Sequence, residues 1–121
     1  MEQPKEYTLT WTVTNDMTAK RIGTAGSKIL STPNMLALME GAALELAKAY
    51  LPEGTTTVGA EAHVKHLAPT PVGMKVSATA TLRSIERRKM WFDIVVNDEK
   101  GKCGEGSHLR IMVPQKDRSQ G

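Results

Sequence analysis

Glu40 sits where a carboxylate is costly. In the run STPNMLALMEGAALELAKAYLPEG, a wheel of about 100° per residue sets Leu36, Ala43 and Ala47 on one line. Met39, Leu46 and Tyr50 lie beside that line, and Met35, Ala42 and Leu38 extend the arc. Glu40 falls inside the arc, between the Leu36 line and Leu44, whereas Glu45 shares a narrow wet strip with Asn34, Gly41 and Lys48. A buried carboxylate is expensive unless it is paired or used. Burial alone raises its pKa toward the range of acid–base work at neutral pH. The competing reading is that Glu40 reaches solvent or a structural partner at a subunit interface.

His66 repeats the anomaly on a strand. TTTVGAEAHVKH alternates, with Val58, Ala60, Ala62, Val64 and His66 on one face and Glu61, His63 and Lys65 on the other. Parity therefore turns His66 inward and His63 outward, as a proton carrier or as a hydrogen-bonded core histidine. Thr32 precedes Pro33, the arrangement of a hydroxyl capping a helix whose first residue is proline. Capping by itself explains Thr32, yet a hydroxyl at a helix N-terminus can also hold a carbonyl or a developing negative charge. His108 shares a face with Arg110 in the last strand and is expected at the surface or an interface. Arg87, Arg88 and Lys89 crowd a hairpin tip, read as a solvated turn, with contact to coenzyme phosphates as the alternative. There is no phosphate loop, metal-ligand cluster or nucleotide fingerprint, so metal and nicotinamide chemistry are not expected. Cys103 is the single cysteine, which leaves no internal disulfide or zinc motif and reads as a small strand filler.

The elements that must carry these groups follow from periodicity. YTLTWTV alternates Tyr7, Leu9, Trp11 and Val13 with threonines, the period of a half-buried strand. NDMTAKRIGTAGSKIL has no clean period and reads as a long loop or short irregular helix. The helix comes next, closed by Leu51, Pro52 and Gly54. A helix apolar around most of its circumference is buried on several sides, so strands must wrap it. Four strands follow. VGMKVSATATLRSI places Met74, Val76, Ala78, Ala80 and Leu82 on one face, KMWFDIVVN sets Met90, Phe92, Ile94 and Val96 together, and GSHLRIMV sets Leu109, Ile111 and Val113 against His108, Arg110 and Met112. ERRK and NDEKGK read as the hairpin turns between the last three strands. Pro69 and Pro71 end the strand that carries His66 and turn the chain sharply.

The whole is an α+β domain of the hotdog type, about five antiparallel strands wrapped around one long helix. A free sheet edge and an apolar helix favour pairing with a second copy, as a homodimer or a dimer of dimers. The length of 121 residues fits a single domain over 1–121, with flexible ends at about 1–5 and 114–121. No apolar run approaches the roughly 20 residues that span a bilayer. The opening MEQPKEYTLT lacks a secretory pattern, so a cytoplasmic location is expected and no membrane partner. A formal charge of +3 with few aromatics gives no footing for nucleic acid.

The segment STPNMLALMEGAALELAKAYLPEGTTTVGAEAHVKHLAPTPVG resembles the hotdog-fold thioesterases of the fluoroacetyl-CoA thioesterase family. The family pattern has a threonine before proline, a glutamate eight residues on along the helix, and a histidine before LAPTPVG; these fall on Thr32, Glu40 and His66. Gly59 matches a glycine near the acyl group, and Arg110 an arginine of the final strand. The resemblance implies hydrolysis of an acyl-CoA thioester. Glu40 would attack the carbonyl or activate a water, Thr32 would position Glu40 or the carbonyl, and His66 would handle protons for hydrolysis and the leaving thiol. It implies a homodimer with sites near the subunit interface, and no cofactor beyond the coenzyme A of the substrate. A non-catalytic acyl-CoA or small-ligand module on the same fold is the alternative. The family's aromatic lid has no counterpart in RIGTAGSKILS, and Leu36, Met39 and alanines flank Glu40, which points to a small to medium aliphatic acyl group rather than fluoroacetyl.

Overall fold

The computed structural model describes residues 4–18 and 28–115. Five strands, β1 (Glu6–Thr12), β2 (Thr55–His66), β3 (Lys75–Glu86), β4 (Lys89–Asp98) and β5 (Gly101–Pro114), form one antiparallel sheet in the order β1-β3-β4-β5-β2. The helix α1 (Thr32–Lys48) lies on one face of this sheet and seals the core. Met35, Leu38, Met39, Ala42, Ala43, Leu46 and Ala47 are its buried residues, packed against Val76, Ala78 and Ala80 of β3 and Met90, Phe92, Ile94 and Val96 of β4. Each large side chain so buried contributes about 1.5–3 kcal/mol. The alanines let the backbone of α1 approach the strands.

The sheet covers less of the helix than the wheel implies. Pro33 and Ala37 are exposed, and Leu36, Glu40 and Leu44 are half-buried along the same side. Gly41, expected on the wet strip, instead lies against Leu9 of β1, whose Cδ2 would be 2.8 Å from an added Cβ. The open side of α1 is thus the one that carries Glu40.

Hairpins join β3 to β4 and β4 to β5 as their turn residues require. Among the described residues β2 pairs with β5 alone, which leaves its other edge without a partner there. The chain between β2 and β3 carries the LAPTPV turn, which docks on the approach to the helix. Leu30 N donates to Thr70 O at 2.8 Å, Ile29 bridges Pro71, and Leu67 N donates to Cys103 O at 2.8 Å. These bonds bring the start of α1 to the end of β2. Cys103 is buried in the core cluster.

A short 3₁₀ turn, Asn15–Met17, opens the segment read as irregular, and residues 19–27 lie outside the described residues. Of the ends expected to be flexible, 1–3 and 116–121 also lie outside them. Lys5 O accepts from Leu82 N at 3.0 Å, and Gln115 N donates to Gly54 O at 2.8 Å.

Candidate active site

The groups singled out by sequence fall into two clusters at different points along β2. The first joins the N-terminus of α1 to the C-terminal end of the strand. Thr32 Oγ1 is 2.8 Å from His66 Nδ1, beside an open cleft of about 420 Å³ lined by Ile29, Leu67, Ala68 and Pro69. The helix cap is Ser31, not Thr32: its hydroxyl accepts from Asn34 N at 3.2 Å and from the Asn34 side chain at 2.7 Å. Thr32 is the first helical residue, so its hydroxyl is free of capping and turns to the imidazole. His66 is half-buried, and its Nε2 is buried with no hydrogen-bond partner among the described residues. Burial lowers the His66 pKa from its ordinary 6.5, and the Ala68 backbone opposes part of that shift. The ring is therefore neutral at physiological pH.

The second cluster forms around Glu40. Its cleft, about 200 Å³, is lined by Gly59, Ala60, Glu61, Ala62 and His108. Among the described residues the Glu40 carboxylate has no hydrogen-bond or ion-pair partner. A Cβ added at Gly59 would lie 3.6 Å from Glu40 Oε2, 3.6 Å from Arg110 Nη1 and 3.2 Å from His108 Cε1, so the backbone approaches all three because position 59 has no side chain.

A β-bulge explains why strand parity fails here. β2 pairs Gly59 with Arg110 and Glu61 with Leu109, leaving Ala60 as the extra residue. Before the bulge Thr57 and Gly59 face the helix, and Val58, expected inward, is 43% exposed. Ala60 and Ala62, also expected inward, are exposed along the free edge, while Val64 and His66 are half-buried beyond it. On β5 the helix-facing residues are His108, Arg110 and Met112 rather than Leu109, Ile111 and Val113. His108, expected at the surface or an interface, is 2% exposed. Its Nδ1 is 2.8 Å from Glu61 O and its Nε2 is 3.0 Å from Arg110 Nη1.

Arg110 is buried, with Nε donating to Thr57 Oγ1 at 2.7 Å and Nη2 to Thr57 O at 3.1 Å. Burial lowers its pKa, and the Glu40 charge acts against that. Glu40 is not among the influences on His66. The two clusters are separated by eight residues of α1, about 12 Å of rise, so one chain does not bring Glu40 face to face with Thr32 and His66. Met39, expected beside Glu40, points into the core at 1% exposure. Ser31, Thr57 and His108 are the polar residues that sequence reasoning left without these roles. Arg87, Arg88 and Lys89 remain exposed at the β3–β4 turn, where Arg87 adopts a left-handed φ of 59°. No group of residues able to hold a metal ion occurs among the described residues.

The profile of a family described as fluoroacetyl-CoA-specific thioesterase matches residues 13–116. A fluoroacetyl-CoA thioesterase from Streptantibioticus cattleyicolor is 34% identical over 86 residues, covering 71% of this chain and 62% of that protein. The chain thus matches less than two thirds of that relative's length. A variant of a fluoroacetyl-CoA-specific thioesterase solved with fluoroacetate and CoA is 28% identical, with a TM-score of 0.84 over 94% of this chain and 96% of the other. A thioesterase-superfamily protein from Thermus thermophilus shares the fold at a TM-score of 0.86, over 94% and 86% of the two chains, with 24% identity.

Proposed function

This chain belongs to the fluoroacetyl-CoA-specific thioesterase family, and from that premise we propose that it hydrolyses an acyl-CoA thioester with a small to medium aliphatic acyl group. Thr32, Glu40 and His66 carry the reaction, and Gly59 and Arg110 bind the substrate. The observation that supports this most directly is the Thr32–His66 pair at 2.8 Å, with Nε2 of a neutral imidazole left unpartnered among the described residues.

In this reading Thr32 donates into His66 Nδ1, which leaves the ring proton on Nε2. Glu40 takes a proton from water as the resulting hydroxide attacks the thioester carbonyl. The C–S bond breaks as the neutral His66 Nε2–H hydrogen-bonds the departing sulfur. The proton held by Glu40 passes to the thiolate, so the carboxylate and the neutral imidazole end as they began and the net change is water added across the thioester. Arg110, positive and paired across the sheet with Gly59 at the bulge, offers N–H groups to the carbonyl oxygen where negative charge develops. No cofactor is required beyond the coenzyme A that the substrate brings, and the reaction is assigned to the cytoplasm.

The complete site takes two chains. Among the described residues β2 has an unpaired edge, and two copies pairing antiparallel about a two-fold between Ala62 and His63 would set Gly59 of one opposite His66 of the other. Glu40 of one protomer would then meet Thr32 and His66 of its partner. The same contact would cover the half-exposed side of α1.

Thiol release from a series of acyl-CoAs tests the reading. We expect turnover of short and medium aliphatic chains without preference for fluoroacetyl over acetyl, because residues 21–31 contain no aromatic side chain. Glu40→Gln and His66→Ala should each lower kcat/KM by about 10²–10⁴. Saturable binding without turnover in the unaltered protein, or unchanged rates in both variants, would remove the proposed chemistry.

A further inference from the structure

The buried pair on β5 is arranged for more than packing. Arginine has donors only, so the 3.0 Å contact with Arg110 Nη1 makes His108 Nε2 an acceptor. The ring proton is then on Nδ1, where it is donated to the Glu61 carbonyl at 2.8 Å. Both nitrogens are used, and the tautomer is fixed by its neighbours. Arg110 in turn is pinned on three sides: Nε and Nη2 by Thr57, and Nη1 by His108. One N–H on each terminal nitrogen remains, and Nη1 lies at the Gly59 bulge beside Glu40.

We infer that His108 is a positioning residue for the reaction: by accepting from Arg110 Nη1 it sets the plane of the guanidinium against the Glu40 carboxylate and the Gly59 backbone. This inference rests on the thioesterase reading above. Burying an arginine and a histidine in a sheet costs desolvation that an apolar pair of like volume would avoid. The network ends at the cleft rather than in the core. The charged and titratable groups facing His108 are Arg110 from β5 and Glu40 from α1, with the Glu61 carbonyl from β2. Burial lowers the His108 pKa; the Glu61 carbonyl raises it, the Arg110 charge lowers it, and the Glu40 charge raises it. A protonated ring would turn Nε2–H against Nη1–H and release the guanidinium.

Two substitutions separate positioning from packing. His108→Gln can keep an acceptor near the Nε2 position, whereas His108→Asn can keep only the bond to Glu61. We expect kcat of His108→Gln within about threefold of the unaltered protein, and kcat of His108→Asn lower by about 10²-fold with KM little changed, the size of effect that a misplacement of about 1 Å produces. Unchanged kcat in His108→Asn, or equal losses in both variants, would overturn the inference. If neither variant folds, ¹⁵N imidazole spectra of the unaltered protein at neutral pH decide: a neutral Nδ1–H tautomer for His108 supports it, and an Nε2–H tautomer overturns it. Absence of turnover in the unaltered protein would instead defeat the thioesterase reading, so the two failures are distinguishable.

Discussion

Two neighbouring hydroxyls begin α1 and divide its work. Ser31 satisfies the orphan amide of Asn34, which leaves Thr32 to hold His66. Ser31→Ala should therefore cost about 0.5–2 kcal/mol of stability with kcat/KM close to that of the unaltered protein. Thr32→Val should do the reverse, losing most activity while unfolding near the same urea concentration. Urea titrations run beside thiol-release assays check both, and a Thr32→Val protein with full activity would show that the hydroxyl only packs. Glu40 and His66 stand out in the sequence as polar groups at positions that periodicity reserves for apolar ones, whereas Thr32, which capping alone would explain, is singled out only by its spacing in a family pattern. Ser31, Thr57 and His108 do not stand out. Two hydroxyls in a row give no sign of which one caps. The bulge at Ala60 moves Thr57 to the buried face, and alternation alone cannot say which face of β5 the helix covers. Gly59 was the available signal, since a glycine inside a strand marks a bulge or a close backbone approach.

At the scale of elements, β5 can lie between β4 and β2 with α1 across its face only because it is thin in the middle. A Cβ at Gly106 would run into the His63 carbonyl oxygen and come within 2.9 Å of Met39 Cε. The obstacle is backbone on the edge strand, which cannot move without disturbing β2. Gly106→Ala should destabilise the fold by at least about 1–3 kcal/mol. Gly104→Ala meets the flexible Met35 side chain first, at 2.5 Å from Sδ, and should cost less. Thermal or urea unfolding of the two variants checks the ranking, and equal stability would contradict the packing described. The helix and the β3–β4 and β4–β5 hairpins were readable from period and turn residues. The placement of β2 beside β5 was not, because it depends on a crossover whose length and composition favour no particular neighbour. The wheel also overestimated how far the strands enclose α1, since apolarity shows which residues are covered and not by which chain.

For the whole molecule, three features converge: a β2 edge unpaired among the described residues, a half-exposed side of α1 around Glu40, and the proposed reactive groups split between two clusters. The proposed two-fold dimer would resolve all three at once, because the edge would be paired, the helix side covered, and a carboxylate delivered to each imidazole. The measurement that tests this most directly is complementation. Glu40→Gln and His66→Ala proteins, each inactive alone, are mixed and allowed to exchange subunits. A site built across two chains is restored once in every hybrid dimer, so an equal mixture should regain about a quarter of the unaltered activity, since half of the dimers are hybrid and each has one of its two sites intact. A mixture that exchanges subunits fully and stays inactive would contradict the account.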